Sequence, residues 1–302
     1  MFGRFWELYN NIKLYSVSFS TSIFFSRFRK GIKRKLHQQS AVYKFLYNKI
    51  YEQLSAKQYT TKQYRDTKHI WVFWYQGHNN MPDIVKICYK QLKAVARDYS
   101  VHLLDKSNIS TYVDIPPYIY KKLNEGKMSL THFSDILRIY LLYKYGGLWC
   151  DATIFCHNNI DPIVLSKQIS CISIDYNESY VSRGRWSCFF LASQPKSPLI
   201  KYLKDFFDLY WEKYDGLIDY LCIDYAIAIA YDNIESIKQD IDEGAIYLPD
   251  LYLLQNNLNA PITAELKHHI STYAFSKLSW KCETTDTDEN GNQTVYSYLK
   301  SL

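Results

Sequence analysis

Glycine and methionine are scarce in this chain, ten and three in 302 residues, and proline contributes only eight. No Gly-, Ser- or Pro-rich linker and no internal repeat interrupts the chain after the first 65 residues. Seven cysteines include no CxxC pair, and their odd number excludes a fully paired disulfide framework. Cys88, Cys150, Cys171, Cys188 and Cys222 lie in apolar runs and read as small buried hydrophobes. A structural zinc site is not expected, and a reducing cytoplasm is the expected compartment. The apolar run near the N-terminus is too short and too polar to span a bilayer. Its basic residues follow the apolar part instead of preceding it, which is the wrong order for a signal peptide.

Acidic residues are nearly missing from residues 1–65, which hold 13 Lys/Arg and two Glu, a net +11 against −5 for the remainder. Residues 1–65 are therefore expected to form a basic, helical appendage on a mildly acidic domain of residues 66–302. Arg27, Arg29, Lys30, Lys33, Arg34 and Lys35 follow Phe19, Ile23, Phe24 and Phe25. Such a cluster suits an anionic membrane surface, at roughly 1 kcal/mol per basic residue. A helical hairpin packed on the main domain is the other open reading. Nucleic acid is not an expected partner, because no groove-reading motif accompanies the charge.

What the chain has in plenty is apolar and aromatic residues, 47% and 17% of the whole, enough for a large core. Beyond residue 66 strands and helices alternate. His69 to Trp74 reads as a first strand, a helix runs from Pro82 to about Asp98, and Val101 to Leu104 forms a second strand. Further strands are expected near Ser170–Ile174 and Cys188–Ala192, and helices over Pro198–Tyr214 and Ile218–Tyr231. This order predicts an α/β fold with a mainly parallel sheet flanked by helices.

The densest information lies between residues 131 and 153. Phe133, Ile136, Leu137, Tyr140 and Leu141 recur at helical spacing, with Thr131 as the expected N-cap. Asp135 and Arg138, three apart, can reach each other or a common ligand. Gly146-Gly147 ends the helix, and Leu148-Trp149-Cys150 reads as a buried strand carrying Asp151 to its carboxyl end, where open α/β sheets bind ligands. An acid and a base on one helix with a carboxylate at a strand end suit the hydroxyls and diphosphate of a sugar nucleotide. Taken singly, each feature is more often a surface pair or a turn former.

Ser134-Asp135-x-x-Arg138 and Gly146-Gly147-x-x-x-Asp151 resemble the signature of glycosyltransferases with a DXD motif and a Rossmann-like GT-A fold. The capsular polysaccharide synthesis proteins are the most similar group, from about Lys68 onward, through Trp71–Gly77, Met81–Val85, Ser129–Asp135, Gly184–Trp186, Ile223–Tyr225 and Lys277–Lys281. The resemblance implies transfer of a sugar, with retention, from a nucleoside diphosphate donor of UDP or GDP type to a glycan hydroxyl. The acceptor it implies is a capsular or other surface glycan, free or lipid-linked, with the enzyme peripheral at the inner face of the cell membrane. It assigns Asp135, Arg138 and Asp151 to catalysis and, with Trp74, Gln76, Thr153, Ser279 and Trp280, to the donor. Trp74 would stack on the base, although a core tryptophan is equally open, and Ser279 with Trp280 would close over the diphosphate. Lys277 and Lys281 would add positive charge there.

Arg183, Trp186 and Asp224 are expected on the acceptor side, Trp186 offering a flat face to a sugar ring. Relatives often carry a second acid where this chain has Thr153. Mn²⁺ or Mg²⁺ is therefore expected through Asp151 and the donor phosphates, with Thr153 at most holding a metal-bound water and an acid from elsewhere in the chain able to complete the site. A nucleotide-sugar or glycan binder that lost catalysis with that acid is the alternative. His78, His268 and His269 show no metal-ligand spacing.

Overall fold

The computed structural model describes residues 12–302 apart from Thr61 and Gln63, so residues 1–11 of the expected appendage lie outside the described residues. The described residues form eight strands: β1 (His69–Phe73), β2 (Ser100–Leu104), β3 (Gly147–Cys150), β4 (Ile154–Cys156), β5 (Ile169–Ser173), β6 (Phe190–Ser193), β7 (Ala245–Tyr247) and β8 (Phe275–Lys277). Six of them form one sheet in the order β2-β1-β3-β6-β5-β7, and β4 pairs with β8 separately. Every neighbour in the large sheet is parallel except β6, which runs against both β3 and β5. The expected mainly parallel α/β sheet is what the chain forms.

Both faces of that sheet are buried, as parallel strands require. Side chains alternate across it: Trp71, Trp149, Cys171 and Leu191 enter one core, whereas Ile70, Val72, Leu148, Cys150, Ile172 and Phe190 enter another. The first core is covered by α4 (Leu130–Tyr145), α5 (Pro198–Lys213), α6 (Cys222–Asn233) and α7 (Glu235–Gly244). On the other side, α3 (Asp83–Val95) lends Leu92 to the sheet and packs Ile84, Val85 and Cys88 beside β4.

The described part of residues 12–65 is mostly helical, with α1 (Val17–Ser26) and α2 (Gly31–Leu46) followed by a π-helical turn at Tyr47–Tyr51. Phe19, Val42, Phe45, Leu46 and Ile50 join the same core as Tyr202, Phe206 and Tyr210 of α5. Burying each such side chain contributes about 1.5–3 kcal/mol. Lys57 and Tyr59 both reach Asp205, each at 3.0 Å. The change in composition at residue 65 is not matched by a break in packing.

α4 is buried almost all round, which is why its polar residues had to find partners inside the fold. Ser129, not Thr131, caps it: the Ser129 hydroxyl accepts from the His132 backbone N–H at 3.2 Å. Thr131 lies two residues past the cap, already inside the first turn, and does not serve as the N-cap. The helix ends at Gly146, φ 67°, and Gly147 follows at φ 95°. A Cβ on Gly147 would stand 2.3 Å from the His69 carbonyl oxygen, so only glycine lets β3 start this close to β1.

Candidate active site

α4 and β3 deliver their polar residues to one point. The Arg138 guanidinium donates to Asp135 Oδ1 at 3.0 Å and reaches Asp151 Oδ1 at 3.5 Å. Asp135 and Arg138 are 7% and 3% exposed, so this is no surface pair. Their long-range convergence with Asp151 is what the α4–Gly-Gly–β3 turn builds. Trp149, two residues before Asp151 on the same strand face, donates its indole N–H to Asp151 Oδ1 at 2.9 Å. The Arg138 guanidinium also lies over the Trp149 ring, 4.9 Å from its centroid.

The other oxygen of Asp151 belongs to a lysine from the end of the chain. Lys277 Nζ lies 3.2 Å from Asp151 Oδ2 and donates to Thr153 Oγ1 at 2.6 Å. The pairing of β4 with β8 places it, Ile154 standing opposite Lys277. Burial alone would raise the pKa of Asp151, but Lys277 and Arg138 outweigh it and hold the carboxyl below its ordinary value.

Two cavities meet at Asp151. One, of about 550 Å³, is lined by Trp74, Gln76, Thr153, Lys277, Ser279 and Trp280, among others. The second, of about 360 Å³, is lined by Asp135, Arg138, Trp186, Cys188 and Asp224. Asp151, Thr131, Ser134, Tyr220 and Tyr252 border both. In the first, the Trp74 and Trp280 rings meet edge to face at 5.8 Å, with Trp280 47% exposed. Trp74 is therefore half-buried at the rim and donates its N–H to the Asn80 carbonyl at 3.2 Å. Ser279 is fixed by its own N–H, which donates to Gln255 Oε1 at 2.6 Å. Gln76 is exposed on the same rim.

In the second cavity Asp224 accepts from the Trp186 indole N–H at 3.1 Å, and Cys188 Sγ is 3.9 Å away. Burial, reinforced by nearby Asp135, pushes the Asp224 carboxyl up to about 6. Two expectations change here. Trp186 does not lie open to a sugar ring: it is 4% exposed, Arg185 and Tyr231 pack against it, and its indole N–H is engaged by Asp224. Arg183 does not reach the cleft at all. It is exposed, at φ 52°, and lines a separate groove against α2.

The sequence reading missed His132, which lies behind the site. Its Nε2 accepts from the Trp211 indole N–H at 3.0 Å, and Nδ1 faces Asp135 Oδ2 at 3.3 Å. An indole only donates, so Nε2 is the accepting nitrogen; Nδ1 lies near Asp135 without the geometry of a hydrogen bond. The spacing of three from His132 to Asp135 was the available signal. Tyr220 and Tyr252 carried none, being two of 29 tyrosines.

A divalent cation is a poor fit to these residues. The one free oxygen of Asp151 and the Thr153 hydroxyl both face the Lys277 ammonium, which repels a cation. Thr153 thus holds the lysine and not a metal-bound water. Among the described residues no group of three or more His, Cys, Asp or Glu is placed to hold a metal ion.

Residues 23–299 match the family model of capsular polysaccharide synthesis proteins. The chain belongs to this family. The match begins well before Lys68, so α2 and the last turn of α1 lie within the matched region. Among curated proteins, this member of the capsular polysaccharide synthesis family is similar to the O-glycosyltransferase braB of Annulohypoxylon truncatum. The two are 31% identical over 125 residues, 38% of this chain and 30% of that protein. It is also similar to the glycosyltransferase afumC of Aspergillus fumigatus, 22% identical over 166 residues, 49% of this chain and 41% of that protein. The chain thus spans well under half the length of these relatives. Among solved structures, the galactosyltransferase LgtC with donor and acceptor sugar analogs aligns with 77% of this chain and 95% of its own, at 14% identity and a TM-score of 0.41.

Proposed function

We propose that this chain is a GT-A-type glycosyltransferase that moves a sugar from a nucleoside diphosphate donor to a hydroxyl of a surface glycan. The observation that carries the reading is the chain of charges Asp135–Arg138–Asp151–Lys277 standing where two cavities join. The 550 Å³ cavity has two lysines, one carboxylate and three tryptophans, the composition suited to a base and a diphosphate. The smaller one adds Asp135 and Asp224 to the shared Asp151, three carboxylates suited to sugar hydroxyls.

In this reading Trp74 and Trp280 embrace the nucleotide, and Asp135, Arg138 and Asp151 hold the donor sugar across the joint. The C1–O bond to the diphosphate breaks with its electron pair leaving on the phosphate oxygen, toward Lys277 and Ser279. The acceptor oxygen bonds to C1 and passes its proton to Asp224, which is ionised at neutral pH because its pKa is about 6. His132 is a positioning residue that keeps Asp135 turned toward Arg138.

The test is release of UDP or GDP from a panel of nucleotide sugars, with and without hydroxyl acceptors. Release that rises with acceptor supports transfer. Tight binding without any release would favour the non-catalytic binder instead.

A second feature bears on where the enzyme works. Around the α1–α2 turn Phe25 and Phe28 are 58% and 75% exposed beside Arg29, Lys30, Lys33, Arg34 and Lys35. Exposed aromatics within a basic cluster suit peripheral binding to an anionic leaflet, as a lipid-linked acceptor would require. Sedimentation with anionic vesicles but not with neutral ones supports this location. Equal recovery with both removes it.

A further inference from the structure

Resting on the sugar-transfer reading above, we propose that the site works without a divalent cation, the Lys277 ammonium supplying the positive charge at the diphosphate. The donor-side cavity has a single carboxylate, Asp151, and two cations, Lys277 and Lys281. It already carries the sign that a diphosphate needs. The two oxygens from which a metal would have to be hung, Asp151 Oδ2 and Thr153 Oγ1, converge on one ammonium at 3.2 and 2.6 Å. A Mg²⁺ ion sits about 2.1 Å from its ligands, and on these oxygens it would have to displace that ammonium.

Lys277 is not a surface lysine free to swing away. Its backbone N–H donates to the Leu251 carbonyl at 2.9 Å, its strand register is set against Ile154, and its ammonium lies 5.1 Å from the Phe189 ring centroid. The side chain is 18% exposed, enough to keep its end on the cavity and too little for a mobile one. An ammonium has three donors, so two can stay on Asp151 and Thr153 while the third meets the departing phosphate oxygen. In the transfer step the electron pair of the C1–O bond goes to that oxygen, Lys277 keeps its proton, and the new negative charge is met by a cation already in place.

Calorimetry on the full chain, stripped with EDTA, tests this with UDP and with GDP as probes. One of the two should bind, and its affinity should change by no more than about twofold when Mn²⁺ or Mg²⁺ is added. Lys277→Gln should weaken that diphosphate by about 10-fold or more, as loss of a charged hydrogen bond does, while uridine or guanosine binds as before. A diphosphate that binds only with metal overturns the inference and leaves the transfer reading standing. No binding of either nucleotide under any condition overturns both. If Lys277→Gln weakens nucleoside and nucleoside diphosphate equally, Lys277 is only structural and the inference fails.

Discussion

The two cavities that share Asp151 are built on opposite plans. The donor side is open, rimmed by half-exposed indoles, and carries more positive than negative charge. The proposed acceptor side is smaller and adds two carboxylates of its own to the shared Asp151, one of them, Asp224, pushed up to about 6. The difference follows from which groups flank each carboxylate. Asp151 lies between Lys277 and Arg138, and its charge is stabilised; Asp224 is buried beside the charge of Asp135, which an indole N–H, Arg138 and a thiol together do not offset. A reaction that sends negative charge one way and a proton the other needs such sorting.

Breaking the joint should have the largest effect. Asp151→Asn leaves Lys277 and Arg138 without their shared carboxylate, and turnover should fall by about 1,000-fold, measured as donor diphosphate release. The sign of its pH dependence is fixed by its lowered pKa. The stability contributed by ionised Asp151 is present above the unfolded value of 3.8 and is lost as pH falls through the depressed folded value. Thermal melts of wild type should therefore show a loss on acidification in that window that Asp151→Asn does not share.

Asp224→Asn should cut turnover by about 100-fold and remove the acid limb near pH 6 from the pH–rate profile. Its effect on stability has the opposite sign. The folded state holds this proton up to about pH 6 whereas the unfolded chain loses it near 3.8, so stability falls as pH rises across that interval. At pH 7 the Asn variant should melt higher, by roughly 1–2 kcal/mol in stability. A variant that is less stable and unchanged in pH profile would show that Asp224 serves Trp186 and not the acceptor.

Smaller effects sharpen the contrast between rim and floor. Trp280→Ala removes an aromatic from an open rim, and KM for the donor should rise about 10-fold with little change in kcat. Arg183→Ala, in the groove beside α2, should leave both constants within about twofold, as most substitutions away from a site do. A large loss there would place the acceptor path across the N-terminal helices.

Much of this was legible in the sequence because it is local. The α/β alternation follows from strands such as Ile70-Trp71-Val72 and helices such as α3, whose patterns need only their own residues. Asp135, Arg138 and Asp151 fall within 17 residues, with a Gly-Gly break that dictates the turn. Trp186 misled for a definite reason: an indole near a loop reads as a platform, and only the packing of the fold around it shows that it is buried. Arg183 misled because three residues on a loop can point to different sides of the fold.

The sequence by itself determined the order of elements, the family signature and the absence of a second acid at Thr153. Tertiary structure alone decided what stands in that acid's place. Lys277 lies 126 residues beyond Asp151, and the register of β8 against β4 sets where its ammonium ends. Register depends on how two strands bury their side chains against the rest of the molecule, and no spacing within one stretch of chain records it.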